Sequence, residues 1–112
     1  MITEDYVSFE VAKLLKEKGF DEPTTGTYYK DGTFEHLSLN KWNSKFIMPI
    51  SAPTHQMAMK WLREVYDIKI MIRPYVDGTY SYEILNGFWY VNFDSYENAV
   101  EESIKYCLEN LI

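Results

Sequence analysis

Apolar residues recur at helical spacing in three stretches of the chain and crowd into strand-like runs in the rest. The first stretch places Val7, Val11, Leu14 and Leu15 on one stripe. Ser8 is its candidate N-cap and Glu10 an acid in the first turn. Gly19 is the expected left-handed C-cap, with Phe20 folding back behind it. The second stretch, "SAPTHQMAMKWLREVYD", puts Thr54 before a face of Ala58, Trp61, Leu62 and Val65, extended by Met57. The third begins near Ser95, with Asp94 as a competing cap, and buries Tyr96, Val100, Ile104, Cys107, Leu108 and Leu111.

Between the helices the pattern changes to strands. "TYYKDGTFEHLSL" reads as a hairpin around Asp31-Gly32, and "KFIMPI" as a short edge strand, because Pro49 cannot donate to a central ladder. Trp42 is expected in the loop before it. Residues 68–93 read as a three-stranded meander. At Asp77-Gly78 a two-residue turn would send Arg73 into the core. A loop of Val76-Asp77-Gly78 with Gly78 left-handed instead pairs Ile72 with Tyr82 and Ile70 with Ile84.

At Asn86-Gly87 a two-residue turn pairs Leu85 with Phe88, Ile84 with Trp89, Tyr82 with Val91 and Tyr80 with Phe93. That register leaves Glu83, Leu85, Phe88 and Tyr90 together on the outer sheet face. The element order is helix, hairpin, edge strand, helix, meander, helix. It predicts one α+β domain over residues 1–112, a mostly antiparallel sheet with about three helices packed on one face.

Composition narrows the function classes. Six Phe, three Trp and ten Tyr imply a compact fold with an aromatic surface and exclude a disordered chain. No run of the chain approaches a membrane span, and the acidic N-terminus "MITEDYVSFE" does not read as a signal peptide. A lone cysteine makes no intrachain disulfide, so the expected compartment is the cytoplasm. The net charge of −6 disfavours nucleic acid as a partner. The segment 41–73 is locally basic, with Lys41, Lys45, Lys60, Arg63, Lys69 and Arg73 against Glu64 and Asp67.

Catalytic groupings are not evident. Cys107 lies on a core stripe, where burial raises a thiol pKa and leaves it inert. His55 in a first helical turn has Met59, not a ligand, one turn on, and reads as a surface or cap-region histidine. His36, His55 and Cys107 show no metal-ligand spacing. The glycines at 19, 26, 32, 78 and 87 are read as turns or a C-cap rather than a phosphate loop. No cofactor or metal is expected. Glu83 is either a recognition or acid–base group or a solvent-edge glutamate.

The phrases "ITEDYVSFEVAKLLKEKGFDEP", "SAPTHQMAMKWLREVYDIKI" and "YENAVEESIKYCLENLI" resemble an uncharacterised family of short proteins from intestinal anaerobic bacteria, often encoded in prophages and mobile elements. The resemblance implies a bacterial or phage setting and carries no activity or site residue. The reading that follows is a small acidic module that binds an unidentified protein partner. The candidate surface is Glu83, Leu85, Phe88 and Tyr90, unless the 40–52 segment folds over it. The alternative is a small-ligand binder or enzyme with a pocket between the sheet and the 40–52 segment.

Overall fold

The computed structural model describes every residue except Asn86. Its order is α1 (Phe9–Glu17), β1 (Thr24–Tyr28), β2 (Phe34–Asn40), α2 (Trp42–Lys45), β3 (Ile50–Ser51), α3 (His55–Tyr66), β4 (Ile70–Pro74), β5 (Tyr80–Ile84), β6 (Phe88–Phe93) and α4 (Tyr96–Asn110). This is an α+β fold. The strands expected in one sheet form two antiparallel sheets, ordered β2-β1-β3 and β4-β5-β6. The chain divides into two compact units, Met1–Ala58 and Met59–Ile112, with the boundary inside α3.

In the first unit, Ser8 is extended and its Oγ accepts the Val11 N–H, which starts α1. Gly19, at φ +95°, ends it, and the Phe20 N–H returns to Leu15 O at 2.9 Å. Val7, Val11, Ala12, Leu15 and Phe20 are buried. The hairpin β1–β2 pairs Tyr28 with Phe34. The edge strand expected over 45–50 forms only at Ile50–Ser51, as β3, with Ile50 paired to Tyr28, while Lys45 lies in α2. Trp42 is not a loop residue. It opens α2 and is buried, with its indole N–H donating to Thr24 O and Ser38 O at 3.0 and 3.2 Å.

Gly26 is also not a turn glycine. It lies within β1, where an added Cβ would meet Ala52 O at 2.5 Å. At the start of α3, Thr54 Oγ1 accepts the Met57 N–H. His55 is buried rather than exposed, and its backbone N–H donates to Asp5 O at 2.9 Å. Of the predicted α3 face, Ala58, Trp61 and Leu62 are buried, whereas Met57 and Val65 are exposed.

In the second unit the loop at 76–78 takes the predicted form. Gly78 has φ +87°, Ile72 pairs with Tyr82 and Ile70 with Ile84. The β5–β6 register is offset by one from the expected pairing near the turn. Ile84 pairs with Phe88, Glu83 with Trp89 and Tyr82 with Tyr90. An irregularity between Tyr80 and Tyr82, with Asn92 at φ +71°, then restores the predicted Tyr80–Phe93 pair. The expected two-residue turn falls partly on Asn86, outside the described residues. Beside it Gly87 is left-handed at φ +104° and its N–H donates to Ile84 O, and the paired ends are Ile84 and Phe88.

Ser95 caps α4, its Oγ accepting the Asn98 N–H, while Asp94 accepts from the Asn98 side chain instead. The helix lies on one face of the meander. Val100, Ile104, Cys107 and Leu108 are buried with Tyr82 and Ile84.

Candidate interface on the meander

Successive strand side chains point to opposite faces, so the observed register decides which residues can act together. Ile84, Tyr82, Phe88 and Tyr90 share the face that α4 covers. Tyr106 of α4 packs at a tilt beside this row, with ring centroids 5.4 Å from Phe88, 5.8 Å from Tyr90 and 6.4 Å from Tyr82. Phe88 and Tyr90 therefore do not stand on the outer face with Glu83, as the sequence suggested. Each is a half-exposed flank of the aromatic layer under α4. Leu85 lies beyond the end of β5 and is exposed. Of the four expected residues, only Glu83 projects from the outer face of the sheet.

The residues brought together on that face are others. Met71, Glu83 and Trp89 form a row across the three strands. Arg73 and Ser81 form the next row. Trp89 is 61% exposed, Met71 43% and Val91 42%. Arg73, Tyr75, Ser81, Glu83 and Trp89 line a shallow hollow of about 160 Å³. Tyr75 closes one end, its hydroxyl donating to Ser81 Oγ at 3.1 Å, which accounts for a buried serine on an otherwise open face. Arg73 Nη2 rests 3.9 Å from Met71 Sδ.

A wider groove of about 400 Å³ adjoins it, lined by Tyr75, Val76, Asp77, Thr79, Val91 and Asn92. Its carboxylate is already used. Asp77 Oδ1 accepts both the Thr79 N–H and hydroxyl, at 3.0 and 2.7 Å, and these bonds hold its pKa below the ordinary value. The groove offers Tyr75, Val76 and Val91 as apolar area, with Asp77 and Thr79 bonded to each other.

The helix-covered side is chemically quiet. Burial pushes the Cys107 thiol up to about 12, and it also raises Tyr82, reinforced by Tyr90, Cys107, Tyr106 and Glu102 nearby. Among the described residues, no group of three or more His, Cys, Asp or Glu is placed to hold a metal. His36, in the first unit, packs edge-on against Tyr6 and Phe34, with centroids 5.3 and 5.1 Å away. No helix of the described residues is long and apolar enough to cross a membrane.

Sequence reasoning passed over Trp89, Met71 and Arg73. The signal that could have found them is the Asp-Gly loop at 76–78: ending the β5–β6 pairing at Ile84–Phe88, as the Tyr75–Thr79 pair ends β4–β5, turns Trp89 outward. In comparisons with known proteins, no family model, no curated protein and no solved structure matches the chain.

Proposed function

We propose that the chain is a cytoplasmic protein-binding module, of the bacterial or prophage setting its sequence resembles. It holds a basic protein partner through the outer face of the β4–β5–β6 sheet. The observation that carries this reading is Trp89, 61% exposed and in one row with Met71 and Glu83, beside Arg73. Keeping so large an apolar surface in water has no folding benefit, and contiguous exposed apolar patches mark interaction sites. Trp and Arg are also the residues most enriched among those that dominate binding energy. The net charge of −6 raises the encounter rate with a basic partner and lowers it for nucleic acid.

The test is a photo-crosslinking amino acid at position 89, with position 39 as control, since Leu39 is at least as solvent-exposed but lies in β2. Irradiation in nuclease-treated lysate of the native host should give one protein adduct from position 89 and none from position 39. Adducts from both positions, or from neither, would refute this face as the binding surface.

A further inference from the structure

The face just described ends at β6, the last strand of its sheet among the described residues. In the order β4-β5-β6, β6 pairs with β5 on one side only. Phe88 to Asn92 are all exposed. Natural edge strands are blunted by charge, proline or a bulge, because unpaired backbone groups recruit other strands. The opposite edge follows that rule: β4 ends in Arg73 and Pro74, and proline has no N–H to offer. β6 does not. Its sequence, FWYVNF, holds no charge and no proline, and is rich in residues that favour strands.

The backbone direction agrees. Gly87 N–H closes onto Ile84 O, as Gly78 N–H closes onto Tyr75 O beside the paired Tyr75–Thr79 backbone. In an antiparallel ladder, pairs that exchange hydrogen bonds alternate with pairs that do not. With Ile84–Phe88 as the bonded pair, Trp89 turns its N–H and C=O away from β5, toward the open side. The left-handed Asn92 interrupts the strand, so the regular stretch is Phe88 to Val91. At roughly 3.3 Å per residue it offers about 13 Å of pairing edge.

We propose that β6 takes a basic, extended segment of the partner protein as a fourth strand of the β4–β5–β6 sheet. The proposal rests on the protein-binding reading above and names what that partner presents. Charge selects the occupant. Residues 59–112 carry nine acids against five bases. Glu83 lies across from Trp89, Asp94 follows the strand, and Glu102 is close enough to act on Tyr82. A second copy of the chain would bring the same excess of acid against itself. Strand addition supplies backbone hydrogen bonds, and alternate side chains of the guest then meet Trp89 and Val91 on one side and Phe88 and Tyr90 on the other.

The experiment uses the full chain and two synthetic octapeptides with blocked ends, one alternating Lys with Val and Thr, the other with Glu in place of Lys. Binding and amide hydrogen exchange are followed residue by residue by NMR, in the parent and in Trp89→Ala and Trp89→Pro. Both variants lose the indole, and only the second loses the outward N–H. The Lys peptide should bind at least tenfold more tightly than the Glu peptide, and slow exchange at the Trp89 amide at least tenfold. Trp89→Ala should retain part of that binding and Trp89→Pro none. Thermal unfolding of each variant confirms that it is folded, and the exchange result in the parent stands if Trp89→Pro is not.

Binding of the Lys peptide without protection at Trp89 would overturn strand addition while leaving the protein-binding reading intact. Protection at Trp89 that rises with protein concentration, without peptide, would make a second copy the occupant and overturn the proposal. Binding of neither peptide would overturn it as well, and crosslinking at position 89 then judges the broader reading separately.

Discussion

Replacing Gly26 by alanine tests the packing of the first sheet at its tightest point. Gly26 has ordinary strand backbone, so the substitution introduces no backbone strain of its own. The new Cβ would stand 2.5 Å from Ala52 O and 2.9 Å from Tyr6 Cε2. Ordinary contact begins at 3.4 Å, so the Ala52 carbonyl must retreat by about 0.9 Å. The Tyr6 ring can swing aside, but the carbonyl belongs to the backbone that pairs Thr27 with Ser51 and brings Ala52 N–H to Gly26 O at 2.9 Å. Overpacking of this kind costs about 2–3 kcal/mol. In a chain of this size that is a fall in melting temperature of about 10 °C.

The control is Gly19→Ala. At φ +95° with nothing within 4 Å of the added Cβ, it meets only left-handed strain, about 1 kcal/mol. Urea and thermal unfolding of the two variants beside the parent give the comparison. A Gly26→Ala protein within 0.5 kcal/mol of the parent, or less perturbed than Gly19→Ala, would refute the argument that β1 and β3 need glycine there.

Other outcomes follow from single groups. Ser51 Oγ is fully buried without a hydrogen-bond partner, while its N–H is held by Asn43 Oδ1, so Ser51→Ala should raise stability by about 1 kcal/mol in urea unfolding. The Cys107 thiol, raised to about 12 by burial, should react negligibly with a disulfide reagent at pH 8 and fully in denaturant; fast labelling of folded protein would contradict its packing. Asp31 and Asp77 are both held below the ordinary 3.8 by hydrogen bonds from Thr33 and Thr79. In each case the unfolded chain takes up the proton first. The loops therefore add stability above pH 3.8 that is lost as the pH falls below it. A double Asp→Asn variant should flatten that acid limb of the urea midpoint, and an unchanged slope would deny the contribution.

Helix ends were the most legible part of the sequence because caps are local chemistry. Ser8, Gly19 and Ser95 act where their residue types say they should. The 76–78 loop was legible for a different reason: Ile70, Ile72 and Arg73 alternate, so only one register keeps the charge out of the core. Gly26 and Trp42 were not legible. Nothing local marks a strand glycine whose neighbour is a carbonyl 26 residues away, or an indole N–H bonded to a strand 18 residues back.

The candidate interface failed to show itself for a reason that bears on its function. A strand that is apolar on alternate positions fixes its own face, but FWYVNF is apolar at five of six positions, and either face could be turned inward. Its orientation is then set by the turn alone. The three hairpins share one solution: Gly32, Gly78 and Gly87 are all left-handed, and each donates its N–H to the residue three back. Asp31 and Asp77 announce this loop by bonding the following Thr, whereas Asn-Gly favours a shorter turn in isolation. The one-residue difference moves Trp89 from core to surface. A strand apolar on both sides is what a central strand needs, buried front and back with a neighbour on either edge. Among the described residues β6 has that composition and pairs with β5 alone, and in the proposed complex the partner's strand takes the open side.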